Sequence, residues 1–435
     1  MEEATLTEIL TDHASNSKPS AVLRTNIILS DDDLSDEAKA QFDYHNEILN
    51  AFQIYARNIL VNSQLSPIGR HLVCTELERN YTNCKSILNY VAIHPELQTK
   101  SNTLPPLLIL CGLPRTGTTL LYNLLACDPA CRAPLFRDMM YPIPPIPRSD
   151  TSVRTERDTI DAMDGEVFNA VDLTDYVKSI SASHPMFVYE EDRLILNQAG
   201  FHSVLTILEP QDSIELQTWF YDGPNKDFAY KYHKTFLQLM NSVDAPRSHW
   251  VLKAPLHGMN LDVLLRHHRQ VMLVMNHRRL DEVLPSSIRL HIAIASGYFD
   301  SNKTNTEADI CNVVKRVIYK TDEHTHRLVK FRRSHENTPV FDVLYDDLLT
   351  QPIDTVRRIY EHFGLVWSDE FEMAMAAWLH ENPQGKHGRN VYTPDEFGLT
   401  SNTIGQRYKE YNSMFLNSQY PSMTDCDVMK SESSI

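Results

Sequence analysis

The sequence predicts an α/β fold, a doubly wound and mainly parallel sheet flanked by helices, with a helical N-terminal extension and a helical insertion. Two observations carry this. Short apolar runs at 107–111, 250–252, 271–275 and 340–344 alternate with longer stretches of helical periodicity, and such alternation favours parallel strands joined by crossover helices. The first run leads into a loop spaced by Gly112 and Gly117, followed by hydroxyls and then by leucines at helical spacing. A sheet of this kind binds ligands at the carboxyl ends of its strands.

Each element follows in order along the chain. Residues 1–100 begin acidic and Ser-rich, then carry apolar residues at steps of three and four over Ala38 to Leu60 and Ile68 to Val91, which predicts a helical extension. A main domain is expected over 101–416. Leu107 to Leu110 follows Pro105-Pro106 and reads as a strand buried on both faces. Leu120, Leu121, Leu124 and Leu125 form the stripe of the next helix, which Asp128-Pro129 ends. An insertion over about 135–245 opens with the Pro-rich stretch 141–147 and continues helical, a natural place for recognising an acceptor. The runs at 250, 271 and 340 supply the other strands. A helix over Phe371 to His380 stops at Asn382-Pro383, and the polar residues 417–435 read as a frayed tail.

Composition excludes several classes. The 435 residues, 42% apolar, are ample for a core, and no run approaches the length of a membrane span. A net charge of −16 leaves no basic excess for a nucleic-acid surface, so any anion site has to be local. The start Met-Glu-Glu is acidic where a leader peptide would be basic, which points to the cytoplasm. Seven scattered cysteines do not read as a disulfide framework, and Cys127 and Cys131 lack the histidines of a metal cluster.

Two segments carry chemistry. Gly112, four residues, Gly117 and then Thr118-Thr119 have the spacing of a Walker-type phosphate loop of the P-loop folds, but Thr118 stands where that loop has its lysine. Backbone amides here can cradle an anion, with Arg115 as a fixed cation. Loss of the lysine argues against a nucleoside triphosphatase. The second segment is an apolar strand that delivers Arg278 at its carboxyl end, with Ser286 eight residues on. An arginine fork and a hydroxyl suit a second phosphate; the plainer alternative is an arginine paired with Asp281 or Glu282.

With both segments in view, the chain resembles sulfotransferases that use 3′-phosphoadenosine 5′-phosphosulfate (PAPS). Gly112-Leu-Pro-Arg115-Thr116-Gly117-Thr118-Thr119 looks like the loop that binds the 5′-phosphosulfate, and Arg278 with Ser286 like the pair that binds the 3′-phosphate. Leu252-Lys-Ala-Pro-Leu-His257, His277-Arg278 and Gly385-Lys-His-Gly388 resemble the branch common in bacteria and microbial or invertebrate eukaryotes. Arg279-Leu280 departs from that branch, which has Asp-Pro there. The resemblance implies in-line transfer of a sulfuryl group to a hydroxyl or amine of a small-molecule, carbohydrate or lipid acceptor, with PAP as product and no metal required. Arg115, then Lys253, are the expected cations on the leaving oxygen. The expected base is His257, four residues past Lys253, or Glu190 or Glu191 in a segment that resembles a family block of the insertion. Lys386 and Arg389 are expected over the 3′-phosphate, unless they form a solvated basic turn. Alternatives from other classes are a catalytically inactive PAP-binding or interaction protein and a Mg-dependent P-loop kinase or ATPase. The residues identify neither the acceptor nor the oligomeric state.

Overall fold

A computed structural model describes residues 23–97, 103–150, 187–210, 213–221, 226–300, 307–383 and 393–416. Four parallel strands, β1 (Leu107–Leu110), β2 (Trp250–Lys253), β3 (Val271–His277) and β4 (Val340–Leu344), form one sheet in the order β2-β1-β3-β4. All four lie where the apolar runs predict them. Register is set by pairs such as Leu107 with Trp250, Leu107 with Val271, and Leu273 with Val340.

Strand side chains alternate between faces, so one run of leucines serves two cores. Leu107 and Ile109 of β1, Trp250 and Leu252 of β2, and Leu273 and Met275 of β3 enter a large core shared with the N-terminal helices, the described insertion helices and the helices Leu280–Ser296 and Glu307–Ser334. Leu108, Leu110, Val251 and Val274 enter a smaller core on the opposite face. There they meet helices Thr118–Leu125, Pro352–Phe363 and Asp369–Glu381. Both faces of the sheet are covered, which is why its strands read as continuous apolar runs.

The expected helix over Ala38 to Leu60 is two helices, Asp36–Gln41 and His45–Ile59. Phe42 and Tyr44 at the break are both buried, with ring centroids 5.8 Å apart, and the bend lets both reach the core. The following helix runs Pro67–Ile93, started by Ser66, whose hydroxyl accepts from the Gly69 amide. No described helix is long and apolar enough to cross a membrane. Cys74, Cys84, Cys111, Cys127, Cys131 and Cys311 are free thiols.

Candidate active site

β1 ends against the loop because Gly112 has no side chain. A Cβ there would stand 2.4 Å from the Asn276 carbonyl oxygen and 2.7 Å from its nitrogen, so the loop crosses directly over the end of β3. The Thr116 hydroxyl donates to the Leu113 carbonyl at 2.6 Å, and Asn276 Nδ2 donates to the Thr116 carbonyl at 3.4 Å. Gly117 then takes φ +84°, and a Cβ would meet the Tyr345 ring at 3.0 Å. Arg115 is also left-handed, at φ 67°. For a side chain with a Cβ this costs energy, and the cost is offset where Arg278 Nη1 donates to the Arg115 carbonyl at 3.1 Å. Thr118 opens the helix Thr118–Leu125, whose first amides lack intrahelical acceptors and give the cradle its positive end.

The two segments singled out in the sequence meet here. Arg115 Nε donates to Ser286 Oγ at 2.9 Å, joining the loop to helix Leu280–Ser296. Arg278 leaves the end of β3, stacks over the Tyr345 ring with its guanidinium carbon 4.0 Å from the centroid, and is held by Glu282 at 2.8 Å. Glu282 thus supplies the carboxylate that Arg279-Leu280 withholds, while Arg279 turns to Asp281 at 2.7 Å. The plainer alternative, an arginine paired with Glu282, is what its position shows. Lys386 and Arg389 lie outside the described residues.

Across the loop, β2 delivers Lys253. Its ammonium, 1% exposed, donates to Glu191 Oε1 at 2.6 Å and reaches Thr119 Oγ1 at 3.4 Å. Glu191 Oε2 accepts from Arg193 Nε at 2.9 Å. Glu190 turns its Oε1 back to the Glu191 amide at 2.9 Å, and its carbonyl accepts from Tyr122 Oη at 3.2 Å. Of the two glutamates, Glu191 is the one that meets Lys253 and, through it, the phosphate loop.

His257 sits in the turn Pro255–Met259 after β2, with its side chain fully buried. Its Nε2 lies 2.8 Å from Asp192 Oδ2, which also meets His233 Nε2 at 2.9 Å. His257 Nδ1 lies 3.0 Å from Tyr230 Oη, and His233 Nδ1 lies 3.3 Å from His268 Nε2. Burial would raise the Asp192 carboxyl, but His257 and then His233 hold it well below the usual carboxylate range. Burial pushes the Tyr230 phenol up and the His268 imidazole down. With Asp192 ionised, both Nε2 atoms carry hydrogens and donate to it, and Tyr230 takes up Nδ1 of His257 as His268 takes up Nδ1 of His233. Both ring nitrogens of His257 are thereby used. One ligand atom each from Asp192, His233 and His257 lies within 4.8 Å of the others, so the three have the spacing to hold a metal ion. Asp192 closes the segment singled out in the sequence for its two glutamates, whereas Arg193, His233 and Tyr230 carried no sequence motif. Asp192-Arg193 stands directly after the two glutamates, which was the available signal.

The sequence matches the Sulfotransferase family over residues 106–369. No curated protein matches it. Among solved structures, the crystal structure of sulfotransferase STF9 from Mycobacterium avium is similar at 25% identity, with 89% of this chain and 97% of that one covered and a TM-score of 0.73. Sulfotransferase STF1 from Mycobacterium tuberculosis H37Rv shares the fold at 21% identity, covering 88% and 99% with a TM-score of 0.63. The family match takes in the loop at Gly112, the Lys253–Glu191 pair and Arg278 with Ser286, and the chain belongs to the sulfotransferase family.

Proposed function

We propose that the chain transfers the sulfuryl group of PAPS to a hydroxyl or amine of a small-molecule acceptor. The observation that carries this reading is the meeting of two cation sets at one loop. Arg115, Arg278 and Ser286 lie on one side, and Lys253 with Glu191 on the other. PAPS carries a 5′-phosphosulfate for the amide cradle and a separate 3′-phosphate for an arginine and a hydroxyl, and a nucleoside triphosphate offers no second site of that kind. Lys386 and Arg389 are assigned to the same 3′-phosphate. Family membership and fold support sulfuryl transfer as the reaction class.

In this reading the acceptor oxygen attacks sulfur and the bond from sulfur to the bridging phosphate oxygen breaks, leaving the electron pair on PAP. Arg115 and Lys253 stabilise the charge that develops on that oxygen. Glu191 takes the acceptor proton. It is favoured over His257 because it meets Lys253 beside Thr119 at the loop, whereas both ring nitrogens of His257 are taken up by Asp192 and Tyr230. His257 then keeps Asp192 in place beside Glu191, and Glu190 orients the Glu191 backbone. The donor assignment is tested by thermal shift in metal-free buffer: PAP raises Tm and AMP, without the 3′-phosphate, does so much less. Equal shifts, or none, refute it.

A further inference from the structure

Asp192 stands at the N-cap of helix Arg193–Gln198, where an aspartate ordinarily gives a side-chain oxygen to the open amides of the first turn. It makes no such bond. Its carboxylate turns inward to two histidines instead, with Oδ2 2.8 Å from His257 Nε2 and 2.9 Å from His233 Nε2. Oδ1 is buried without a hydrogen-bond partner among the described residues. All three residues are 0% exposed. Three elements meet at this point: the turn Pro255–Met259, the helix Asp227–Val243 and the helix that Asp192 opens.

A carboxylate taken out of water needs positive charge beside it. Among the described residues Asp192 forms ion pairs with no lysine or arginine, only with the two imidazoles, and neutral rings supply hydrogens but no charge. A proton added to one ring would supply the charge and still leave Oδ1 without a partner. A divalent cation between the three groups supplies the charge and occupies Oδ1 as well. The geometry admits one. A ligand atom from each residue lies within 4.8 Å of the others, and the two imidazole centroids are 5.7 Å apart with the rings at 77°. Zinc holds imidazole nitrogen and carboxylate oxygen at about 2.0–2.2 Å, which sets neighbouring ligand atoms roughly 3–4 Å apart. The two Oδ2 separations open to that range by small rotations of the side chains.

The surroundings of the rings fit the same role. A ligating imidazole gives its other ring N–H to an acceptor, which fixes its orientation. His257 Nδ1 has Tyr230 Oη at 3.0 Å, and His233 Nδ1 has His268 Nε2 at 3.3 Å. On metal binding each ring moves its proton from Nε2 to Nδ1, where these partners accept it, so no proton is lost.

We propose that Asp192, His233 and His257 form a structural site for a divalent metal ion, with both carboxylate oxygens and the two Nε2 atoms as ligands. Two imidazoles and a carboxylate suit zinc. A closed shell of four protein donors leaves no position for a substrate, so the ion pins the residue next to Glu191 and takes no part in the transfer. Because the cluster is buried, the ion is taken up as the chain folds.

The test uses the full chain expressed in zinc-supplemented and in cobalt-supplemented medium, then desalted into buffer containing EDTA. Inductively coupled plasma mass spectrometry finds about one zinc per chain, and the cobalt form shows the visible d–d bands of a histidine-ligated ion. Asp192→Asn and His233→Gln lose the metal and the bands, with circular dichroism reporting whether they fold. His268→Leu leaves all three ligands in place and weakens zinc by about tenfold or more, so it decides the matter should the ligand variants not fold. A wild type that carries neither zinc nor cobalt means a hydrogen-bonded Asp–His cluster only, and folded variants that keep as much metal as the wild type mean an adventitious ion only; either result overturns the proposal. Metal content is read without PAP, so its outcome is separate from that of the donor reading.

Discussion

Replacing Gly112 by alanine tests the join between the phosphate loop and the sheet. The new Cβ would start 2.4 Å from the Asn276 carbonyl oxygen, and real Cβ contacts do not fall below 3.0 Å, so the loop and the end of β3 have to part by at least about 0.6 Å. Asn276 lies two residues before Arg278, which donates to the Arg115 carbonyl, and the strain passes directly into the contact between the two segments. Overpacking of this kind costs about 1–3 kcal/mol, which for a chain this long lowers Tm by a few degrees. Displacement of aligned donors by most of an ångström weakens PAP by roughly tenfold or more. Thermal unfolding measures the first quantity and calorimetric titration of PAP the second. If Gly112→Ala matches the wild type in both, the loop is not held against β3 as described, and the site built on it fails.

Three further outcomes are expected. Glu191→Gln lowers kcat by about 10²–10⁴ while PAP still binds, whereas His257→Gln acts on stability and keeps more turnover than Glu191→Gln; single-turnover assays beside PAP titration separate them, and the reverse order returns the base to His257. Arg278→Ala weakens PAP by about tenfold or more but leaves AMP nearly unchanged, and equal losses for the two nucleotides remove the assignment of a 3′-phosphate to Arg278. His324 is held by burial at about 3 against 6.5 in the unfolded chain, so its contribution to stability is complete above 6.5 and is lost as pH falls toward 3. His324→Gln therefore flattens the pH dependence of unfolding between those values by up to about 1.4 kcal/mol per pH unit, as read by denaturant titration at several pH values; an unchanged slope contradicts a buried neutral ring.

Much of the architecture was legible because the sheet is covered on both faces. Leu107 to Leu110 has to be apolar at every position when alternate side chains enter different cores, and that continuous run announces a buried parallel strand. The break between Gln41 and His45 was not legible, since Phe42 and Tyr44 continue the apolar pattern and only the shape of the core decides that the chain bends there. The form of the loop was legible because glycine spacing is local geometry: Gly112 and Gly117 stand where the backbone crosses a strand or turns left-handed.

The sequence by itself determined the α/β class, the four strands, the glycine-spaced loop and the resemblance to sulfotransferases, because each is built from short runs and motifs that are local in the chain and recur in order along it. Tertiary structure alone decided what meets that loop. Arg115 finds Ser286 across 171 residues, Lys253 finds Glu191 across 62, and Asp192 takes up both nitrogens through which His257 and His233 meet it. The physical reason is that a titratable group takes its role from its partners, and partners brought together by sheet order and helix packing leave no periodicity along the chain.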